Sequence, residues 1–368
     1  MNRFLSQKLR FYSFICISLL LFVHGYNLQE TYLQPYSLVN EPTTFTTFFE
    51  YYVANGLLRF RIPLLFIISG YIFSLQDTRP YWGRIGKRFN TLMIPFFIWS
   101  AMGLLMTFIW QQFPVTARAV LDSQLDQFND NRPYSAFRVI DILKRWLLAP
   151  VSFQLWFIRS LFFYNMLYPL LKKAVLKFPL PWFVILFILT ILKFGILFFE
   201  AQGMLFFSLG IWISKSHFPV ERKPVWVSTT LCWLIFAGLA FIKTWMAFEF
   251  DEYNFTTVLT MSTLHYISIT SGIIAVWYSG DKMVAWCMSK KWFTWIASFS
   301  FIIYALHVPL LPYLTRIFYI YLQGFTYYRL FTFLVVPLII LLICIAVGAI
   351  WRKVWPSGYR VATGGRGF

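Results

Sequence analysis

Several side chains able to do acid–base or electrostatic chemistry interrupt long apolar runs in this 368-residue chain. His24 sits in LLLFVHGY, Arg61 in RFRIPLLF, Arg159 in LWFIRSL and His307 in IIYALHVPLL. A titratable group inside such a run costs roughly 2.5–3.5 kcal/mol on insertion scales, so it usually faces a protein interior and carries a task. At a rise of ~1.5 Å per residue, His24 lies about 20 Å along its run when counted from Phe11. His307 counted from Phe293, and Lys193 counted from Leu180, fall at a similar depth. Arg61 and Arg159 lie a turn or two below the outer surface, and His265 is near it as well. Two imidazoles and two guanidiniums at one depth describe a polar cavity that holds an anion or moves a proton. Imidazole suits the proton, because its unperturbed pKa of about 6.5 lies near working pH. Each residue taken singly has a plainer reading: a hydrogen-bonded core histidine, or a snorkelling anchor for Arg59 and Lys193. The constellation alone does not separate an enzyme from a transporter.

The elements that must position these groups follow from composition. Hydrophobic residues make up 59% of the chain and charged ones only 12%, about half the charge of an ordinary soluble domain. A soluble chain this apolar would expose large sticky patches, so the expected solvent is lipid. Runs of about 20 apolar residues cross a bilayer as helices. Ten are expected, near 11–27, 57–75, 91–110, 153–171, 180–199, 203–214, 225–242, 261–280, 293–315 and 330–351. The fold class is therefore all-α, a polytopic transmembrane bundle with both termini cytoplasmic.

Charge supports that count independently. With the N-terminus inside and each span reversing the chain, the inner segments hold twenty basic and three acidic residues, the outer ones eight and eleven. That is the positive-inside pattern. It accounts for the formal net charge of +18 without a nucleic-acid partner. Arg3, Lys8 and Arg10 before Phe11–Val23 resemble a signal peptide, but no small-residue cleavage site follows, so a retained first span is expected. Cys16, Cys232, Cys287 and Cys344 lack metal-ligand or disulfide spacing, so no metal is expected. Phe137, Ile140, Leu143 and Leu147 beside Arg138, Lys144 and Arg145 suit a short amphipathic helix on the outer interface. Residues 1–355 read as one transmembrane domain, and 356–368, ending VATGGRGF, as a flexible cytoplasmic tail.

Five local patterns, in order along nearly the whole chain, resemble the acyltransferase 3 family of membrane O-acyltransferases. They are LLLFVHGY with His24; RFRIPLLFIISGYIFSL with Arg61, Pro63, Ser69, Gly70 and Tyr71; RIGKRFNTLMIPFFIWS with Arg84, Lys87, Arg88 and Pro95; QLWFIRSLFFYNMLYPLL; and SFSFIIYALHVPLL with Ser300, Tyr304, His307 and Pro309. Two positions depart from the family pattern. Ser13 stands where many members have an arginine, with Arg10 one turn away on the same face, and Gln154 stands where the family often has histidine.

The resemblance implies transfer of an acyl group, usually acetyl, from cytoplasmic acyl-CoA to a sugar hydroxyl of a surface or lipid-linked glycan. His24, Arg61 and His307 are then the expected catalytic groups, with His24 as base or acyl carrier and Arg61 as oxyanion partner. Arg10, Arg84, Lys87 and Arg88 are expected at the CoA phosphates, and Arg159 and Tyr304 at the acceptor. No permanently bound cofactor is implied; acyl-CoA, most often acetyl-CoA, is a co-substrate. The expected partners are membrane lipids, acyl-CoA and the glycan, an oligomer is compatible with the sequence, and the expected location is the bacterial cytoplasmic (inner) membrane. The rival reading is a transporter or flippase for a glycan or acylated product.

Overall fold

The computed structural model describes residues 2–26, 34–196, 198–250 and 254–367. The chain is helical nearly throughout; a two-residue pairing of Gly195–Ile196 with Phe199–Glu200 is the only sheet among the described residues. Seven helices are long and apolar enough to cross a membrane: Arg3–Gly25, Phe45–Ser74, Tyr81–Trp110, Thr229–Glu249, Phe255–Ser279, Ser300–Leu322 and Tyr328–Val354. An eighth crossing is available if Tyr168–Lys177 and Pro179–Ile191, bent by 118° at Phe178, act as one. The expected end of the first span at residue 27 lies outside the described residues.

The three remaining expected spans are helical but short. The run near 153–171 gives Trp156–Met166 and then Tyr168–Lys177, with Pro169 in the first turn of the second piece. Proline lacks a backbone N–H and suits a helix start rather than its interior. Pro179 opens the next helix in the same way, and that helix ends at Ile191 instead of reaching 199. Lys193 therefore lies in a turn with φ of 57°, its ammonium 3.4 Å above the Tyr36 ring, and not inside a span. Ala201–Lys215 is 15 residues long.

The chain forms two compact units. One comprises Met1–Leu19, Leu33–Arg88 and Ser160–Ala297. Its tightest pairing joins Arg61–Ser74 to Ala201–Lys215, where a Cβ added at Gly70 would stand 2.2 Å from Phe207 O. Small residues permit this backbone approach. Lys8 is fully buried, its ammonium 2.5 Å from Asp281 and over the Trp277 ring.

The other unit comprises Leu20–Tyr32, Phe89–Arg159 and Ser298–Phe368. Its connection between Trp110 and Trp156 carries helices Pro114–Ser123 and Val139–Leu147. Ile140, Leu143 and Leu147 are exposed on the second, as expected of an interfacial helix. Phe137, Ile142 and Trp146 pack on Leu104, Tyr134 and Val151. The residues expected to form a flexible tail instead fold back within this unit. Pro356–Ala362 is helical, Ala362 O accepts from Trp99 Nε1 at 2.9 Å, and Arg366 donates to Thr91 O at 2.8 Å. Gly364 (φ 60°) presses on Thr91, so a glycine is required there for both dihedral and space.

Candidate active site

The second unit brings His24 and His307 together. His24 lies in the last turn of Arg3–Gly25, and His307 lies in the third turn of Ser300–Leu322. His24 Nδ1 is 3.0 Å from His307 Nε2, and the rings stack with centroids 5.2 Å apart. The Phe153 ring packs against His24 at 4.8 Å, while His307 is fully buried.

The hydrogen-bond pattern fixes the tautomers. His307 Nδ1 is 2.9 Å from Ile303 O, a carbonyl that can only accept. That nitrogen must therefore carry the proton, and a neutral His307 presents a lone pair at Nε2. His24 Nδ1 must then donate to it, so the lone pair of a neutral His24 resides on Nε2. Ile303 O, His307 and His24 thus form a relay in which His24 is oriented by a second imidazole that is itself held by backbone.

A helix break just beyond His307 holds this relay in place. Val308 has extended dihedrals, and Pro309 and Pro312 follow. A regular helix would satisfy Ala305 O and Val308 O from the N–H groups of residues 309 and 312, which proline lacks. Gln154 Nε2 donates to Ala305 O at 3.0 Å, and Ser152 Oγ donates to Val308 O at 3.0 Å. Tyr304 OH returns a bond to Gln154 O at 2.6 Å. Tyr304, expected at the acceptor, thus spends its hydroxyl on docking the 153–155 turn. Ser152 and Gln154 were not expected as site residues; the signal for them is the Pro-x-x-Pro spacing, which orphans two carbonyls that a neighbouring segment must satisfy.

The other expected residues are distributed as follows. Arg159, in the same unit, donates to Leu148 O at 2.6 Å and lies over the Phe96 ring. Arg61 belongs to the first unit, buried in the opening turn of Arg61–Ser74. Arg10 is exposed on the first helix, and Ser13 bonds its own helix at Leu9 O. His265 Nδ1 lies 3.2 Å from Nζ of buried Lys243, and Lys243 also donates to Asn55 O.

Arg84 is committed rather than available. Its guanidinium bonds Asp77 Oδ1 at 2.9 Å and Phe73 O at 3.0 Å, and it stacks over Phe73 and Tyr168. Asp77 also takes Lys172 and Lys215, each at 2.7 Å. Burial pushes the Asp77 carboxyl up, but the hydrogen bonds from Lys172, Lys215, Tyr168 and Arg84 together hold it well below the usual range. Lys87 is exposed, and Arg88 lies 5.3 Å above the Phe73 ring. Beside this hub opens a cleft of about 520 Å³, lined by Arg79, Arg84, Lys172, Lys173 and Lys177 with Asp77 as its one carboxylate.

The chain is 26% identical over 380 residues to the succinoglycan biosynthesis protein ExoH of Rhizobium meliloti (strain 1021), an alignment covering 100% of this chain and 94% of that protein. No solved structure matches. The acyltransferase 3 family model, described as an acyltransferase domain, matches residues 8–347. With that match over nearly its whole length, and with seven or eight helices fit to cross a membrane, the chain belongs to the acyltransferase 3 family.

Proposed function

We propose that the protein transfers an acyl group, acetyl in the simplest case, from cytoplasmic acyl-CoA to a hydroxyl of a surface or lipid-linked glycan. The observation that carries this reading is the Ile303–His307–His24 relay, which leaves a lone pair on His24 Nε2. In the step assigned to it, Nε2 takes the proton of the acceptor hydroxyl as its oxygen attacks the thioester carbonyl. The tetrahedral adduct collapses, the C–S bond breaks, and the CoA thiolate leaves with the proton from His24. The ester and free CoA are the products, and the imidazole is restored. The name of the relative, a succinoglycan biosynthesis protein, supports a polysaccharide acceptor.

The donor's phosphates suit the basic cleft as a whole better than the expected set of Arg10, Arg84, Lys87 and Arg88. Arg79, Lys173 and Lys177 make no ion pair among the described residues, whereas Arg84 is held by Asp77. A phosphomonoester carries roughly −1.5 to −2 charges at neutral pH, so several uncommitted cations match the CoA head group.

The test uses purified protein in nanodiscs with labelled acetyl-CoA and the de-acylated glycan. Wild type should form labelled ester and release CoA. The His24→Ala variant should lose about 10²–10⁴-fold in rate, the usual worth of a general base. Retention of more than about a tenth of the wild-type rate would sink the assignment.

A further inference from the structure

A second cavity, of about 320 Å³, lies in the same unit as the histidine relay and is lined by Thr107 near the end of Tyr81–Trp110, by the 111–151 connection and by Tyr313 of Ser300–Leu322. Charge distribution assigns this connection to the outer side.

Its polar groups are fixed in direction before any ligand arrives. Thr107 Oγ1 donates to Gly103 O at 2.9 Å, so in its 2.7 Å contact with Tyr313 the phenol must donate, leaving the Tyr313 oxygen as an acceptor. Gln111 spends its carbonyl on the Tyr134 N–H at 2.9 Å, which turns its amide NH₂ into the remaining donor. Asp126 is clamped by Arg145 at 2.7 and 2.8 Å, and Arg132 holds Asp130 at 2.7 Å.

Charge decides what fits. The lining has two guanidiniums, Arg118 and Arg132, and two carboxylates, Asp126 and Asp130. The cleft beside Asp77 has five cations and one carboxylate. A polyphosphate suits the latter. A neutral ligand rich in hydroxyls suits the former, where fixed donors and acceptors meet the Tyr134 and Tyr313 rings.

Position adds a second argument. Tyr313 follows His307 by six residues, just past the break at Val308. Val151 lines the cavity; the next residue bonds Val308 O, and the one after packs on His24. Floor and relay are carried by the same two stretches of chain.

We infer that this cavity is the acceptor subsite, binding a neutral sugar unit of the glycan next to the one that is acylated. This rests on the acyl-transfer reading above, and the experiment separates the two. Binding of cellotetraose, laminaritetraose and mannotetraose to the full-length protein in nanodiscs is measured by saturation-transfer NMR. At least one should bind wild type in the millimolar range. Ala117→Trp, which fills the cavity, should abolish that binding, and Gln111→Leu should weaken it about tenfold by removing the amide donor. No binding to wild type, or undiminished binding in both variants, overturns the subsite. Binding that Ala117→Trp abolishes, in a protein that transfers no acyl group, keeps the subsite and removes the acyl-transfer reading. Transfer that depends on His24 with an unchanged acceptor KM in both cavity variants does the reverse.

Discussion

His24 Nδ1 stands 3.0 Å from His307 Nε2, and the direction of that hydrogen bond is set from the far side of His307 by Ile303 O. The two imidazoles are therefore unequal. His24 donates into the pair, whereas His307 selects the tautomer and orientation of its partner.

The inequality predicts different kinetic signatures. His24→Ala should remove the base and lower kcat. His307→Gln keeps an amide carbonyl able to accept from His24 Nδ1, so it should retain more activity than His307→Phe, which cannot. Both should keep the wild-type acyl-CoA KM, because neither touches the donor's phosphates. Equal losses in Gln and Phe variants would remove the positioning role of His307.

The break after His307 gives a stability prediction. Gln154 is buried, and Gln154→Leu keeps its volume while orphaning Ala305 O, which costs about 1–3 kcal/mol for a buried unsatisfied group. Thermal unfolding in detergent should shift down accordingly, with acyl transfer reduced through loss of register at His307. Gln154→His keeps an N–H donor and should recover much of both. A Leu variant as stable as wild type would show that water satisfies the break.

How much of this is legible in the sequence depends on the range of the interaction. The seven long spans follow from local apolar runs, and the equal depth of His24 and His307 follows from counting helical rise. Their contact does not, since residues 283 apart meet only through packing. The same limit hides the role of Gln154, which is visible beforehand only as a departure from the family pattern. Arg84 looks like a phosphate ligand from its basic surroundings, but Asp77, seven residues earlier, claims it. The glycine-rich end suggests a free tail, yet Gly364 is the residue that lets the chain turn back onto Thr91.

Topology can be checked by reporter fusions. Those after Gln76 and Gly280 should report cytoplasm, and one at Ser123 should report the outer side. A fusion near Asp251, outside the described residues, should also report the outer side. An inverted result at any of them would break the charge-based orientation on which both ligand assignments depend.

Asp77 predicts a pH dependence of stability. Its carboxyl is depressed in the folded chain, so its contribution is fully present above the unfolded value of about 3.9 and is lost as pH falls below it. Wild type and Asp77→Asn should therefore differ in Tm by a constant amount from neutral pH down to about pH 5, and converge as pH falls below about 4. A gap of opposite sign, with Asp77→Asn the more stable at neutral pH and the two converging on acidification, would mean the carboxylate is a net burden among its three cations.

The cleft beside Asp77 yields the sharpest discrimination between binding and chemistry. Lys173 and Lys177 line it without an ion pair among the described residues, while Arg84 is buried in one. Replacing both lysines with Gln should raise the acyl-CoA KM about tenfold with kcat unchanged, since each exposed charge contact is worth up to about 1 kcal/mol and the phosphates do not react. The rise should shrink at high salt. Acetyl-pantetheine has the same thioester and lacks the nucleotide, so its KM should not respond to the double substitution. Arg84→Gln should act differently, lowering thermal stability by freeing Asp77 and Phe73 O before it alters donor affinity. A double lysine variant that weakens acetyl-pantetheine and acetyl-CoA equally, or neither, would remove the cleft as the phosphate site and return that role to Lys87 and Arg88.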